Sequence, residues 1–373
     1  LLDRSIQPDF VTALDYSPIS QRFYEDLPDL PQVTLIAEPK AHATILDCYP
    51  GPVRTTGDSF NDLLLGDLAR PRIPLTPGAT VAHLSFYVAQ HLGCDPIILI
   101  GQDLGFTDGL YYAPGTAVHG VWSSELNSFN TLEMMEWQRI ARHKTHLQKL
   151  QDCHGKSIYS DEQMLTYLKQ FERDFATADQ TILDATEGGL PKAHTTLITL
   201  AEALAKHATR PVPKLPIPPR GLDPKRLASL LDLLEQRLGE VTELQDTARA
   251  TMPLLRQMGK HQCDRGRMEK LFKKLRQKQY RVETELKNPF NLVNEVNAIG
   301  AFKRARTDRV IWHTDTDQLQ RQSRQIDRDL ENLDWLMQGC DETLRIFREA
   351  RQRVIDGLQR TRSEKRHSRF AAA

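Results

Sequence analysis

Four short stretches of this chain combine carboxylates, amides and glycines at places where chemistry is possible. The richest is Gly101-Gln102-Asp103, followed by Thr107-Asp108-Gly109, directly after the apolar run Ile97-Ile98-Leu99-Ile100. A second is Asp15, which closes IQPDFVTALD, with Asp9 at its start. A third is Asp184-Ala185-Thr186-Glu187-Gly188-Gly189, and a fourth is Pro77-Gly78-Ala79-Thr80. Carboxylates accept hydrogen bonds from ribose or sugar hydroxyls, or meet a cation. A glycine after a strand lets a ligand approach the backbone. Free amides at a helix start suit a phosphate or carboxylate. Each stretch also has a plain reading, as a tight turn, a cap or a set of solvated carboxylates. The Gly78 turn lacks the glycine-lysine-serine pattern of a Walker loop.

A general base would most simply be a histidine. His119 lies in the segment from Tyr111 to Trp122, whose Gly, Tyr and Pro content fits a lid, and His83 follows the Gly78 turn. His143 and His146 are three apart without acidic partners at ligand spacing, so they read as surface residues. No GxSxG, HExxH or kinase pattern is present. Five scattered cysteines without a CxxC argue against a disulfide framework and against a zinc site. Reduced thiols and a cytoplasmic location are the plain expectation, with Cys340 in a core.

These residues need elements to position them. Thr80 can cap a helix whose apolar positions are Val81, Leu84, Val88 and Leu92, with Gly93 ending it. The run Ile97 to Ile100 is too uniformly apolar for a half-exposed strand, which predicts a central parallel strand buried on both faces. Further strands are expected at 10–14, 33–37 and 181–184, with 45–49 as a weaker candidate. Helical patterns cover about 19–27, 59–69, 80–92, 131–153, 160–178 and 195–207. Such alternation predicts a parallel sheet flanked by helices, with ligands outside the carboxyl ends of the strands. Asp15, Gln102, Asp103 and Glu187 should therefore line one cleft.

The pattern changes after Thr209–Gly221, a segment with five prolines that reads as an extended linker. Beyond it, Leu227, Leu231, Leu234, Leu238, Val241, Ala248, Met252 and Leu255 repeat in steps of three and four, with Gln245 filling one position. Leu330, Leu333, Met337, Cys340, Leu344, Phe347, Val354 and Leu358 do the same, interrupted by Arg351. Met268, Phe272, Leu275, Val282 and Leu286 make a third stripe, which Asn288-Pro289 stops. Residues 222–373 are thus expected as a helical bundle or coiled coil, with a looser stretch from Pro289 to His313. Residues 1–208 form the first domain of this scheme. Charge follows the division: residues 1–205 carry 14 Lys and Arg against 26 Asp and Glu, and residues 206–373 carry 35 against 23. The two parts should meet different partners, or each other. The basic stretch Arg265 to Arg281 reads as a solvated helix face, so nucleic acid is not an expected partner. Self-association through the helical tail is. No apolar run approaches the roughly 20 residues that span a bilayer, and no signal peptide is visible.

The blocks IQPDFVTALD, GATVAHLSFYVAQHLGCDPIILIGQDLGFTDG, SIYSDEQMLTYLKQFER and ILDATEGG, in this order, resemble the bacterial motility-associated factor proteins, within the wider MptE-like family. That wider family is named after an archaeal 6-hydroxymethyl-dihydropterin pyrophosphokinase. The resemblance covers about residues 1–205. It implies an α/β, Rossmann-like domain related in shape to sialyltransferases. It also implies transfer of a nonulosonic acid from a CMP-activated donor to Ser or Thr of flagellin or another surface protein, with no metal required. The family's strand-end motifs correspond to Asp15, to Gly101, Gln102, Asp103, Thr107 and Asp108, and to Glu187, Gly188 and Gly189. On this reading Gly78 and Thr80 amides meet the donor phosphate, the aspartates meet hydroxyls, and His119 or Asp103 takes the acceptor proton. The family domain opens with a strand and a Gly-x-Gly-Pro-Ser-Leu turn. This sequence starts after that point, so a fragment, or a member lacking one wall of the site, is expected. The rival enzyme is a pyrophosphokinase using ATP, Mg²⁺ and a pterin, with Asp103, Asp108 and Asp184 as the carboxylate set. A third reading is a non-catalytic scaffold.

Overall fold

The computed structural model describes residues 1–70, 75–142, 145–212, 215–216, 221–314 and 317–371. The chain divides into two compact units: residues 1–57 with 72–220, and residues 58–71 with 221–373. Much of the expected proline linker, residues 213–214 and 217–220, lies outside the described residues, as does His143.

The first unit is α/β. Its elements are β1 (Phe10–Ala13), β2 (Thr34–Ala37), α1 (Ala43–Cys48) and β3 (Val53–Thr55), then, after a segment of the second unit that carries α2 (Ser59–Leu65), α3 (Val81–His91), β4 (Ile97–Leu99), α4 (Ala117–Trp122) and α5 (Leu132–Arg142). β5 (Gln148–Gln151), β6 (Ser157–Ser160), α6 (Glu162–Ala176), β7 (Ile182–Asp184), β8 (Thr196–Leu197) and α7 (Leu200–His207) complete it. The strands form two parallel ladders, β1-β2-β3 and β4-β7-β8, and one antiparallel hairpin, β5-β6. Helix α3 packs against a strand of each ladder. On one side Thr12 Oγ1 bonds Val81 O at 3.2 Å and Ser85 Oγ at 2.8 Å. On the other Phe86 and Tyr87 join Ile97, Leu99, Phe171 and Ile182 in one core.

Three sequence expectations are corrected here. Residues 45–49 are not a strand: α1 is the crossover that two parallel neighbours, β2 and β3, require. Ile45 and Tyr49, four apart, bury on its inner face, where the Tyr49 hydroxyl donates to Val33 O at 3.0 Å. The expected helix 131–153 stops at Arg142, because the sequence Asp152-Cys153-His154-Gly155-Lys156 builds a hairpin turn. Asp152 Oδ1 accepts from His154 N and Lys156 N, and Gly155 holds φ +80°. Finally, β4 ends its ladder rather than centring it, and Ile100 is exposed. The strand buried along its whole length is β7.

The second unit is helical: α2, α8 (Pro224–Lys260), α9 (Arg265–Thr284), α10 (Lys287–Val296), α11 (Ala298–Thr314) and α12 (Gln318–Ala371). The two long seams meet as expected, with Val241, Leu244, Cys340, Leu344 and Phe347 in one core. Both polar interruptions are satisfied across α8 and α12. Gln245 Nε2 donates to Asp341 Oδ1 at 2.6 Å, and Arg351 meets Glu235 at 2.8 Å. Residues 289–313 are helical rather than loose, because Pro289 falls in the first turn of α10, where its missing amide costs nothing. Residues 59–65 form the expected helix, but it packs here: Phe60, Leu63 and Leu64 lie against the seam core, and Leu64 O and Leu68 O accept from Arg237 and Arg226. Among the described residues, no helix is long and apolar enough to cross a membrane.

Candidate functional site

The loops after β4 and β7 are bonded to each other, and the β5-β6 turn joins them. Leu190 N donates to Asp103 O at 2.8 Å, Cys153 N to Gly189 O at 2.9 Å, and Gln102 N to Thr186 Oγ1 at 3.4 Å. Gly189 is needed for this approach. It sits at φ +70°, and a Cβ there would fall 2.3 Å from Asp103 Cα. Within the cluster the Thr107 hydroxyl donates to Asp103 Oδ2 at 2.5 Å. Asp103 and Gln102 are half-buried, while Gly101, Asp108 and Glu187 are exposed. Gly101, at φ +63°, has open space where a Cβ would stand. The Glu187 carboxylate accepts from Leu200 N at 2.7 Å, and so also anchors the start of α7. The sequence thus brought Gly101, Gln102, Asp103, Thr107, Glu187, Gly188 and Gly189 into one neighbourhood.

Below this cluster lies a residue that the sequence reading missed. Lys192 Nζ is fully buried and meets Asp184 Oδ2 at 2.9 Å and Leu190 O at 3.1 Å. Asp184 Oδ1 accepts from Thr186 N at 3.2 Å. The pair neutralises Asp184 and ties the end of β7 to the chain eight residues later. The available signal was a lysine in the Gly188-Gly189-Leu190-Pro191-Lys192 turn, close in sequence to a strand-end aspartate.

The other expected contributors stand around β1, β2 and α3. Asp15 is exposed, and its Oδ1 accepts from Ser17 N at 2.8 Å. The expected phosphate contact at Gly78 is already taken. Gly78 N donates to buried Glu38 Oε1 at 2.7 Å, and Lys40 Nζ reaches Glu38 Oε2 at 2.9 Å and Gly78 O at 3.3 Å. A protein carboxylate fills the position that an external anion would use. Thr80 caps α3, accepting from His83 N at 3.3 Å. His83 is fully buried, its ring stacked on Phe171 at 3.6 Å, and Nδ1 lies 2.9 Å from Thr80 Oγ1. Burial pushes its pKa down, opposed by Asp174 and the Tyr167 main chain. That setting suits a packed neutral ring.

The Tyr111–Trp122 segment is folded back by one carboxylate. Buried Glu136 accepts from Tyr111 N at 2.6 Å, Tyr112 N at 3.2 Å and His119 Nε2 at 2.7 Å. Gly115 N donates to His119 Nδ1 at 3.3 Å, so Nε2 carries the ring proton. Both ring nitrogens are thus engaged, and the ring helps hold the segment in place. Around it Val118, Trp122 and Met135 form a small core, with Arg139 over the Trp122 ring at 4.1 Å. Helix α4 packs against the 3-10 turn after β1, and α5 against the turn at Thr107–Gly109. The segment therefore links the Asp15 end to the Asp103 end. Asp15 and Glu136 both help burial hold the Tyr112 phenol above its ordinary pKa.

Residues 1–109 match the family described as 6-hydroxymethylpterin diphosphokinase MptE-like. The match covers less than a third of the chain. The matched segment contains Asp15, the Gly78 turn and the whole of the Gly101–Asp108 cluster, whereas Glu187, Gly188 and Gly189 lie beyond it. Among solved structures, the chain is similar to the MAf glycosyltransferase from Magnetospirillum magneticum AMB-1. The identity is 14%, the TM-score is 0.42, and the match covers 96% of this chain and 50% of that one. The chain thus spans half the length of that protein. No curated protein matches it. Among the described residues, no group of three or more His, Cys, Asp or Glu is placed to hold a metal ion.

Proposed function

We propose that the α/β unit binds a nucleotide-activated donor at the Gly101–Asp108 and Thr186–Gly189 loops and acts as a glycosyltransferase. The donor class favoured is a CMP-activated nonulosonic acid, and the acceptor a Ser or Thr hydroxyl of flagellin or another surface protein. One observation carries this reading. Two loops from different strand ends are locked together by Gly189 under Asp103, leaving Asp103 Oδ1 and the Gln102 side-chain amide without a partner among the described residues. Such a preformed polar edge at strand ends is where α/β folds bind ligands. Asp103 would accept the sugar or acceptor hydroxyl proton, Gln102 would orient the donor, and Asp15 would meet ribose hydroxyls across the Tyr112 segment. With both nitrogens of His119 engaged, the base role passes to Asp103.

The family description supports a second reading, a diphosphokinase acting on a hydroxymethylpterin with ATP. That reaction would draw on carboxylates for Mg²⁺, and the Lys192 contact to Asp184 weighs against the set containing it. Calorimetry separates the two. Wild type should bind a CMP-nonulosonate in preference to ATP with Mg²⁺ and a pterin, and Asp103→Asn should weaken that binding by about tenfold with little change in melting temperature. Binding of ATP and pterin alone would select the second reading. Binding of neither, in the full chain, would select the scaffold.

A further inference from the structure

The helical unit contains a crevice that its own side chains do not fill. Its volume is about 580 Å³, and residues of α8, α9, α10, α11 and α12 line it. The cause is local. Along most of its length α8 presents leucine, valine or methionine to its neighbours, but here it presents Thr247, Ala248 and Thr251. These short side chains form its floor. The walls are Leu244, Leu275, Val282, Phe290, Leu333 and Leu336. Both threonine hydroxyls are spent on their own helix, on Glu243 O at 2.8 Å and Thr247 O at 2.7 Å, so the floor is apolar in effect.

The polar groups of the crevice are of a different kind. Lys278 and Lys287 line it, and neither has an ion-pair partner among the described residues. The amides of Gln279, Asn291 and Asn332 also line it without a hydrogen-bonded partner among those residues. Of the two carboxylates present, Asp329 is engaged by Arg304 at 3.4 Å and Arg328 at 2.7 Å. That leaves Glu283 against the two ammonium groups. A crevice of several hundred Å³ lined by both apolar and polar side chains can hold a small molecule, and helical bundles commonly build such sites between their helices. The residual positive charge selects the sign of the head group.

We propose that the helical unit binds a small amphiphile with one apolar tail and an anionic head, the tail in this crevice and the head at Lys278 and Lys287. The proposal is independent of the activity of the α/β unit. It is tested by calorimetry on the full chain with decyl phosphate below its micelle concentration. Decanoate serves as a second anionic head and decyltrimethylammonium as the cationic control. The expected result is one-to-one binding of decyl phosphate. Decanoate binding as well means that charge alone is read, and its failure means that the phosphate is; either fits the site. Lys278→Glu with Lys287→Glu should weaken binding by about tenfold or more, and Ala248→Trp should abolish it by filling the floor. Lys273→Glu, on the outer face of α9, should leave it unchanged. Should Ala248→Trp fail to fold, the smaller filling change Thr251→Met decides the question by the same readout. Equal binding of the cationic control, or full binding to a folded cavity-filling variant, overturns the proposal.

Discussion

In the α/β unit buried charges and amides hold loops, whereas in the helical unit they interrupt an otherwise apolar seam. Lys192 with Asp184, Glu136 with His119, and Glu38 with Gly78 each fasten a connection near a strand end or helix start. Gln245 with Asp341 sits between Leu244 and Ala248 of one helix and Leu344 of its neighbour, and fixes how the two long helices are aligned. The contrast teaches where each unit keeps its specificity. Loops have no periodic apolar face, so ion pairs and short hydrogen bonds must place them. Long helices already have such a face, and a polar insert selects among their possible registers.

The sharpest way to break this comparison is to remove a loop fastener. Lys192→Ala leaves Asp184 buried without its counter-charge and should cost about 3–5 kcal/mol. Hydrogen exchange read peptide by peptide should show the loss in the α/β unit alone, and Asp184→Asn with Lys192→Met should recover part of it. A loss no larger than that of a surface lysine would remove the ion pair from the argument. The counterpart in the seam is Phe347→Ala. It opens a cavity in a fully buried position and should also cost about 3–5 kcal/mol, with faster exchange confined to residues 58–71 and 221–373. Equal destabilisation of both units would mean that they do not respond separately.

Gly189→Ala sharpens the comparison at the site itself. The methyl would meet Asp103 backbone in a residue held at φ +70°, so a cost of about 1–3 kcal/mol is expected. Donor binding measured by calorimetry should fall with it, because the two loops would separate. Retained binding would show that their junction does not form the site. The smallest effect concerns pH. His83 has a folded pKa below its unfolded value near 6.5. The unfolded chain therefore takes up the proton first as pH falls. Stability should be full above about pH 6.5 and decline below it, by at most about 1.4 kcal/mol per pH unit. Denaturant titrations at pH 7.5 and 5.5 should show a smaller acid loss in His83→Phe, which keeps the stack on Phe171. An identical loss in both proteins would assign the dependence to other groups.

What could be read in the sequence was local. The seams of α8 and α12 repeat every three or four residues, and any helix with that spacing buries one face, so Val241, Leu344, Phe347 and Cys340 were identifiable as core. Burial also pushes the Cys340 thiol up to about 12, the state of an inert packed cysteine. The strand-end cluster was legible for a similar reason, since uniform apolarity over 97–100 followed by Gly-Gln-Asp marks the exit of a parallel strand. Tertiary structure alone decided which charges would meet. The Lys192 contact to Asp184, the Glu38 carboxylate on the Gly78 amide and the Glu136 carboxylate on the His119 ring depend on chain segments folding back at distances with no periodic signal. It also decided that Ser59–Leu65, helical on its own pattern, belongs with helices more than 150 residues away, as the Arg226 contact to Leu68 O records. Periodicity tells a segment which face to bury; only packing tells it against what.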